Sequence, residues 1–456
     1  MKLKSRCFLS VACALAVTTF LLLRSLFKER EAIDYNQKDS LRRAVRVGLV
    51  QHPDDNRSPT ISRIRTNTDK SLQDKPGRTV SHDQPALHET TTARASLRKQ
   101  VVNNPLHLSP WKLFQSWVTA EQLYTVDSLQ SDAMIRILHA MSTQKIERVL
   151  VGYKGTQLKA TFILAESQKV VFKPMRYSRD VMITGDPYAG YDRHNAEIAA
   201  FHLDGILGFR RAPPVAGRTV NLSKEVIPVS EHKLLKTFFK QNGNDCFYGV
   251  CYYCKKSDPA CAKGTIMEGS VTLWLPDELK LKTWYHPWRR TYVKGKKARW
   301  EVDQTYCKLV QQQTLHQKGR RLLDILDTAI FDYLIGNADR HRFETFAKDG
   351  NNGMLLLLDN AKSFGNAKHD EWSILAPIYQ CCMIRRSTWD KLLALSKGSK
   401  SLGALLKERT SVDFVAPVLT DEHFEAVNRR LENAINLINK CISKRGESVV
   451  LTKDYL

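Results

Sequence analysis

Gly336-Asn-Ala-Asp-Arg-His341 and Leu358-Asp-Asn-Ala-Lys-Ser-Phe-Gly365 bracket the stretch that decides the fold of this chain. Before the first, Arg321 to Leu334 predicts a helix. Its apolar face is Leu322, Ile325, Leu326, Ala329, Ile330 and Tyr333, and Gly336 ends it. Before the second, Met354 to Leu358 reads as a buried strand, five apolar residues long. One aspartate, Asp339, therefore follows a helix; another, Asp359, caps a strand 20 residues later. Phosphoryl transfer needs such a pair. One carboxylate orients the attacking hydroxyl, and the other holds a metal on the phosphates.

Working outward, the remaining charges of that chemistry stand upstream in the expected order. Lys173 ends the predicted strand Val170-Val-Phe-Lys173, and Glu197 lies 24 residues on, in a helix read over Asn195 to Leu207 and stopped by Gly208. A strand lysine can neutralise nucleotide phosphates while a helix glutamate holds it. Each group alone is common as surface charge or a loop cap; the four in sequence point to a kinase. Gly152-Tyr-Lys-Gly155-Thr-Gln-Leu is a partial phosphate cradle between short strands within Val149 to Leu164. Trp111, Phe114, Trp117 and Val118 predict an opening helix after Ser109-Pro110. Phe424, Val427, Leu431, Ile435, Ile438 and Ile442 predict a closing one. Strands early and helices late give an α+β chain with a small β-rich lobe before a helical lobe.

Of the 456 residues, 43% are hydrophobic and 26% charged, which excludes a collagen, a wholly disordered chain and a multi-span membrane protein. Cys7 to Leu23 is an uncharged run of 17 residues flanked by Lys2, Lys4 and Arg6 and by Arg24, Lys28 and Arg30. It reads as a single-pass signal anchor, with a cleaved signal peptide as the alternative. Residues 29–105 lack an apolar period and read as a flexible lumenal stem, leaving 106–456 as the folded domain, with a lobe break expected near 265.

Eight cysteines lie beyond the apolar run, at 246, 251, 254, 261, 307, 381, 382 and 441. An even set after an export segment reads as a disulfide framework in an oxidising compartment. The cluster Cys246, Cys251, Cys254 and Cys261 could instead hold zinc, although it offers a single CxxC and no histidine. Spacing alone leaves 105 pairings open. Asn221-Leu-Ser is a sequon, so Asn221 is a candidate glycosylation site in that compartment. The net charge of +23 then points away from nucleic acid, towards acidic glycans, phosphates or acidic proteins.

Five strings extend the pattern: Gly155-Thr-Gln-Leu-Lys159, Phe172-Lys-Pro174, Asp192-Arg-His-Asn-Ala-Glu-Ile-Ala-Ala-Phe-His202, Gly336-Asn-Ala-Asp-Arg-His341 and Cys381-Cys382. Together they resemble the secretory-pathway kinases, the family of the Golgi casein kinase and the glycosaminoglycan xylosylkinase, over residues 106–456. The resemblance implies an atypical two-lobed protein-kinase-like fold stapled by disulfides, with ATP and Mn2+ (Mg2+ as the alternative) as cofactors. It implies that Gln157 and Lys173 contact phosphates with Glu197 pairing Lys173, and that Asp192 and Asp359 hold the metal. Asp339 would be the base, Glu344 would replace the usual metal-binding asparagine, and Trp274, Leu275, Pro276 and Asp277 would form the hinge beside the base of the nucleotide. It also implies the pairs Cys246–Cys261, Cys251–Cys254, Cys307–Cys381 and Cys382–Cys441. His202 and Arg340 read as scaffolding.

Tyr188-Ala-Gly-Tyr-Asp192, Cys251-Tyr-Tyr-Cys254, Gly269-Ser-Val-Thr-Leu-Trp-Leu-Pro-Asp277 and Asp359-Asn-Ala-Lys-Ser-Phe-Gly365 look like the xylosylkinase branch. Phe209-Arg-Arg-Ala-Pro-Pro-Val-Ala-Gly217 looks like the branch acting on secreted proteins, as does a basic aromatic segment from Lys282. The implied protein is a type II Golgi membrane enzyme, in part secreted, phosphorylating the 2-OH of xylose in the proteoglycan linkage region. The alternatives are a serine kinase for Ser-x-Glu motifs and an inactive scaffold; Asp192, Asp339 and Asp359 argue against the last. Homo- or hetero-oligomers with family members belong to the same implication. Between Lys280 and Trp300 stand eight Lys or Arg, no acid, and Trp284, Tyr285, Trp288, Tyr292 and Trp300. This segment reads either as a glycan or acidic-protein contact or as an insertion anchored by its tryptophans.

Overall fold

The computed structural model describes residues 108–456. The apolar run at Cys7 to Leu23 and the segment read as a stem lie outside them. Among the described residues no helix is long and apolar enough to cross a membrane.

Helix α1 (Pro110–Trp117) begins where Ser109 accepts a hydrogen bond from the Lys112 amide, and Pro110 occupies the first turn, where no amide is needed. Helix α2 (Asp132–Thr143) is capped in the same way by Ser131. Next come β1 (Arg148–Val151), β2 (Ala160–Ile163) and β3 (Lys169–Pro174), then α3 (His194–Leu207) and β4 (Val215–Asn221). A side sheet follows, of β5 (Phe238–Gln241), β6 (Asn244–Phe247) and β7 (Ala260–Cys261), and then β8 (Ile266–Leu273). The main sheet is antiparallel in the order β1-β2-β3-β8-β4, with Lys173 opposite Ser270. Helix α3 packs on β4 and β8 and ends at Gly208, whose φ of 81° favours glycine.

The sheet corrects the expected lobe break. Residues 266–273 form a strand between β3 and β4, so the β-rich lobe runs past 265 and the chain leaves it after Leu273. The cause is local: β8 is apolar at alternate positions (Met267, Val271 and Leu273 are buried) and is paired on both edges.

Beyond it lie β9 (Leu281–Tyr285), α4 (Tyr306–Gln311), α5 (Arg321–Ile335) and β10 (Arg342–Phe346). The chain continues through α6 (Ala376–Cys381), β11 (Ile384–Arg385), α7 (Arg386–Lys397), α8 (Leu402–Thr410) and α9 (Asp421–Arg445), and closes with β12 (Leu451–Thr452) beside β11. The polar side of α5 is covered as fully as its apolar face. Asp324 is buried against Arg320, Arg211 and Arg385 at 2.9, 3.2 and 2.6 Å. Burial opposes its charge, but three guanidiniums hold its carboxyl below the usual range.

Met354 to Leu357 is buried as expected, but the segment is no strand of a sheet; it makes one isolated bridge to β10. Its amides go to three places: Leu355 to the Asp324 carboxylate, Leu356 to the Glu344 carbonyl and Leu357 to the Arg211 carbonyl. The apolar run is threaded through the core, and its backbone is satisfied piecemeal.

All four implied disulfides are present: Cys246–Cys261, Cys251–Cys254, Cys307–Cys381 and Cys382–Cys441. Zinc at the first cluster is thereby excluded, since its four sulfurs are paired with one another. Adjacent Cys381 and Cys382 tie the end of α6 to α4 on one side and to α9 on the other.

Candidate active site

A cavity of about 580 Å³ lies where the sheet meets the helical lobe, lined by Lys173 of β3, Glu197 of α3, Glu344 of β10 and Asp359 with Asn360. Trp274 to Asp277, the residues read as a hinge, form its wall at the exit from β8. Asp277 is fixed there by Lys169 at 2.6 Å and by the Trp274 indole N–H at 3.0 Å. Gln157 lies outside the lining; Tyr153, Lys154 and Lys159 occupy that end.

The Lys173 side chain reaches Glu197 at 2.7 Å, Asp359 at 2.7 Å and Asp192 at 2.9 Å. Lys173 is only 5% exposed, and burial alone would drive off its proton. The carboxylates of Asp192, Asp359 and Glu197 overcome that and hold its pKa above the ordinary lysine value. In return the Lys173 ammonium keeps the Asp359 carboxyl well below the usual range, against the effect of burial. The Asp359 side chain is 69% exposed, so it sits deep in the cleft yet open to water. Its backbone is left-handed, with φ of 59°, a strained choice for a residue other than glycine.

That strain is held from both sides. Asn360 donates its amide to Glu197 at 3.1 Å, and the Arg193 amide donates to the Ala361 carbonyl at 2.8 Å. The Arg193 side chain donates to the Ser363 carbonyl at 2.6 Å. Arg340 is scaffolding, as expected: it pairs with Asp332 at 2.7 Å, reaches Asn360 at 2.7 Å and donates to the Leu358 carbonyl. His202 is buried in α3, which lowers its pKa to about 4 and keeps it neutral.

Three carboxylates around one ammonium leave an excess of negative charge that a divalent cation would neutralise. Among the described residues no three acidic, His or Cys side chains form a closed metal cage. Asp192 and Asp359 suit an ion that takes its remaining oxygens from phosphates and water, the habit of kinase metals. Glu344 lies across the cavity; burial and then the charge of Asp359 raise its pKa.

Asp339 follows the left-handed Gly336 cap of α5 (φ 73°) and receives the Tyr292 hydroxyl on Oδ1. Burial raises its pKa, while the Tyr292 hydrogen bond and the charges of His341 and Lys362 oppose the rise. Tyr292 and Lys362 were not singled out from the sequence. Lys362 stands three residues after Asp359, where the motif assigned no role. Tyr292 was grouped with the tryptophans of the basic segment. The structure separates them: Trp288 and Trp300 are buried anchors, whereas Tyr292 is 47% exposed and meets Tyr188 edge-on at 4.7 Å.

Asn221, at the end of β4, uses its side-chain oxygen to cap the next turn, accepting from the Lys224 amide at 3.0 Å.

A buried lysine held among three acids at a cavity wall, a further acid after the Gly336 helix cap and an N-lobe sheet on a helical C-lobe define a phosphotransferase of the atypical protein-kinase-like fold. The chain belongs to the Fam20 family: residues 109–450 match the family described as Fam20C, Golgi casein kinase, C-terminal. It is 53% identical to human glycosaminoglycan xylosylkinase over 82% of this chain and 90% of that one. The solved structure of hydra Fam20 with sugar superposes with a TM-score of 0.74 at 48% identity, covering 76% of this chain and 99% of the other. The Golgi casein kinase with Mn/ADP bound gives 0.73 at 34% identity, covering 85% and 96%.

Proposed function

We propose that this chain transfers the γ-phosphoryl group of ATP to the 2-OH of xylose in the linkage region of proteoglycans. Lys173, held among Glu197, Asp192 and Asp359, is the observation that carries the phosphoryl transfer. The choice of sugar over protein rests on likeness to a relative named a xylosylkinase and to a structure solved with sugar.

In this reading Lys173 neutralises nucleotide phosphates, and the wall Trp274, Leu275, Pro276 and Asp277 positions the base. Glu344 completes the nucleotide contacts from β10, and Lys159 stands at the end of the cavity where Gln157 was expected. Asp192 and Asp359 would hold a divalent ion, for which Mn2+ has the support of the casein kinase complex and Mg2+ is the alternative. When bound, that ion neutralises charge on the phosphates. Asp339 accepts the proton of the attacking hydroxyl, and Tyr292 fixes which carboxylate oxygen remains free to do so.

The chain is anchored as a type II Golgi membrane protein by Cys7 to Leu23, with residues 106–456 in the lumen on a stem and a fraction secreted. A glycan on Nδ2 of Asn221 would leave its capping oxygen untouched. Assembly with itself or with family members belongs to the same reading.

The test offers purified protein, labelled ATP and Mn2+ to a galactosyl-xylose acceptor and to a Ser-x-Glu peptide side by side. Label is expected on the sugar. Label on the peptide alone transfers the chain to the serine-kinase reading, and label on neither removes the activity.

A further inference from the structure

Asp339 is not among the residues lining the cavity, and the ribbon formed by β9 and β10 leads from that cavity towards it. That ribbon pairs Thr283 with Glu344 and Tyr285 with Arg342. Cross-strand partners share a face, and the faces alternate along each strand. Thr283 and Glu344 line the cavity, so Tyr285 and Arg342 stand on the same face one pair farther along, about 7 Å on. This is the end at which the chain arrives from Asp339. There the His286 amide donates to the His341 carbonyl at 3.0 Å and continues the ribbon into the catalytic loop.

The Tyr285 ring is 60% exposed and carries two guanidiniums. Arg289 lies 4.5 Å and Arg342 5.2 Å from its centroid. Both arginines are exposed, and among the described residues neither is in an ion pair. Their neighbours differ: Arg290 has Glu371, Arg299 has Asp303 and Arg340 has Asp332. Two like charges gathered on one ring repel each other, and an anion bound beside them lowers that cost. A guanidinium fork matches a carboxylate in two-point geometry.

We propose that Tyr285, Arg289 and Arg342 form a docking site for acidic side chains of the polypeptide that carries the acceptor xylose. The proposal rests on the xylosylkinase reading and extends it to the protein part of the substrate. A polypeptide fits better than an anionic glycan because the linkage xylose is the sugar bonded to protein. With its 2-OH at Asp339, the polypeptide runs one sugar ring away, and Arg342 is three residues from Asp339.

Purified full-length chain, ATP and Mn2+ are used with galactosyl-xylose on a neutral aglycone, on a peptide rich in Asp and Glu, and on the same peptide with Asn and Gln. Wild type favours the acidic glycopeptide, and added salt shrinks that preference. In Arg289→Gln/Arg342→Gln the KM for the acidic glycopeptide rises about tenfold, and kcat and KM for the other two acceptors stay at wild-type values. Equal loss on all three acceptors assigns the arginines to the sugar and overturns the proposal. So does unchanged use of the acidic glycopeptide. Wild-type protein that phosphorylates xylose on none of them contradicts the xylosylkinase reading itself, and the docking site falls with it.

Discussion

The two sides of Asp339 are built on opposite principles. On the cavity side Lys173 and Glu197 are buried, three carboxylates share the one ammonium, and backbone amides at Asn360 and Arg193 tie the cluster further. On the side proposed for the acceptor the rings of Tyr292 and Tyr285 stand in water, and Arg289 and Arg342 are in no ion pair among the described residues. The first side is preorganised around Lys173, as suits the proposed binding of one constant ligand, ATP. The second leaves its interactions unmade, for a substrate to complete.

The largest effects should fall on the closed side. Asp339→Asn and Asp359→Asn should each lower kcat by roughly 10²–10⁴-fold, with the melting temperature changed by no more than a few degrees. Steady-state kinetics with thermal denaturation checks this, and near-normal turnover in either variant breaks the site assignment. Lys173→Met should abolish activity and also destabilise the fold by about 3 kcal/mol, because three carboxylates lose their shared cation. Arg289→Gln on the open side should leave denaturant unfolding unchanged, so equal destabilisation by both would erase the contrast.

The frame beneath both sides can be loosened separately. Replacing Cys382 and Cys441 together by serine opens a 59-residue loop and should cost about 4 kcal/mol. Unfolding midpoints with and without reductant measure it. A variant as stable as wild type would mean that α6 and α9 are held by packing alone.

The smallest effect concerns pH. Burial raises the Asp339 pKa, so the acid limb of kcat/KM should lie above the ordinary carboxylate range, with activity gained as the base deprotonates. The Tyr292 hydroxyl holds that pKa down, and Tyr292→Phe should move the limb to higher pH. A shift to lower pH would show that the hydroxyl does not stabilise the carboxylate.

How much of this was legible in the sequence follows the same division. Lys173, Glu197, Asp339 and Asp359 stand out in the sequence because phosphoryl transfer demands such groups at element ends, which strand, helix and glycine signals mark, and the structure brings the first two and Asp359 into one ion-paired cluster. The cysteine pairs came from family likeness, since eight cysteines alone do not choose among pairings. The break after β8 was misplaced because a strand paired on both edges carries no mark of which lobe it joins. Met354 to Leu358 looked like a strand because an apolar run records burial, while its hydrogen bonds are decided by α5, β10 and Arg211. On the acceptor side the segment 280–300 gave composition without orientation. Only the fold shows that its tryptophans turn inward and that Tyr285 and Tyr292 turn out.

The measurement that tests the central claim most directly is the position of the phosphate in the product. Phosphorus–proton NMR of a glycopeptide treated with the enzyme, ATP and Mn2+ should couple the new phosphorus to the proton at C2 of xylose, and Asp339→Asn should give no such product. Coupling to the β-protons of a serine would contradict the account.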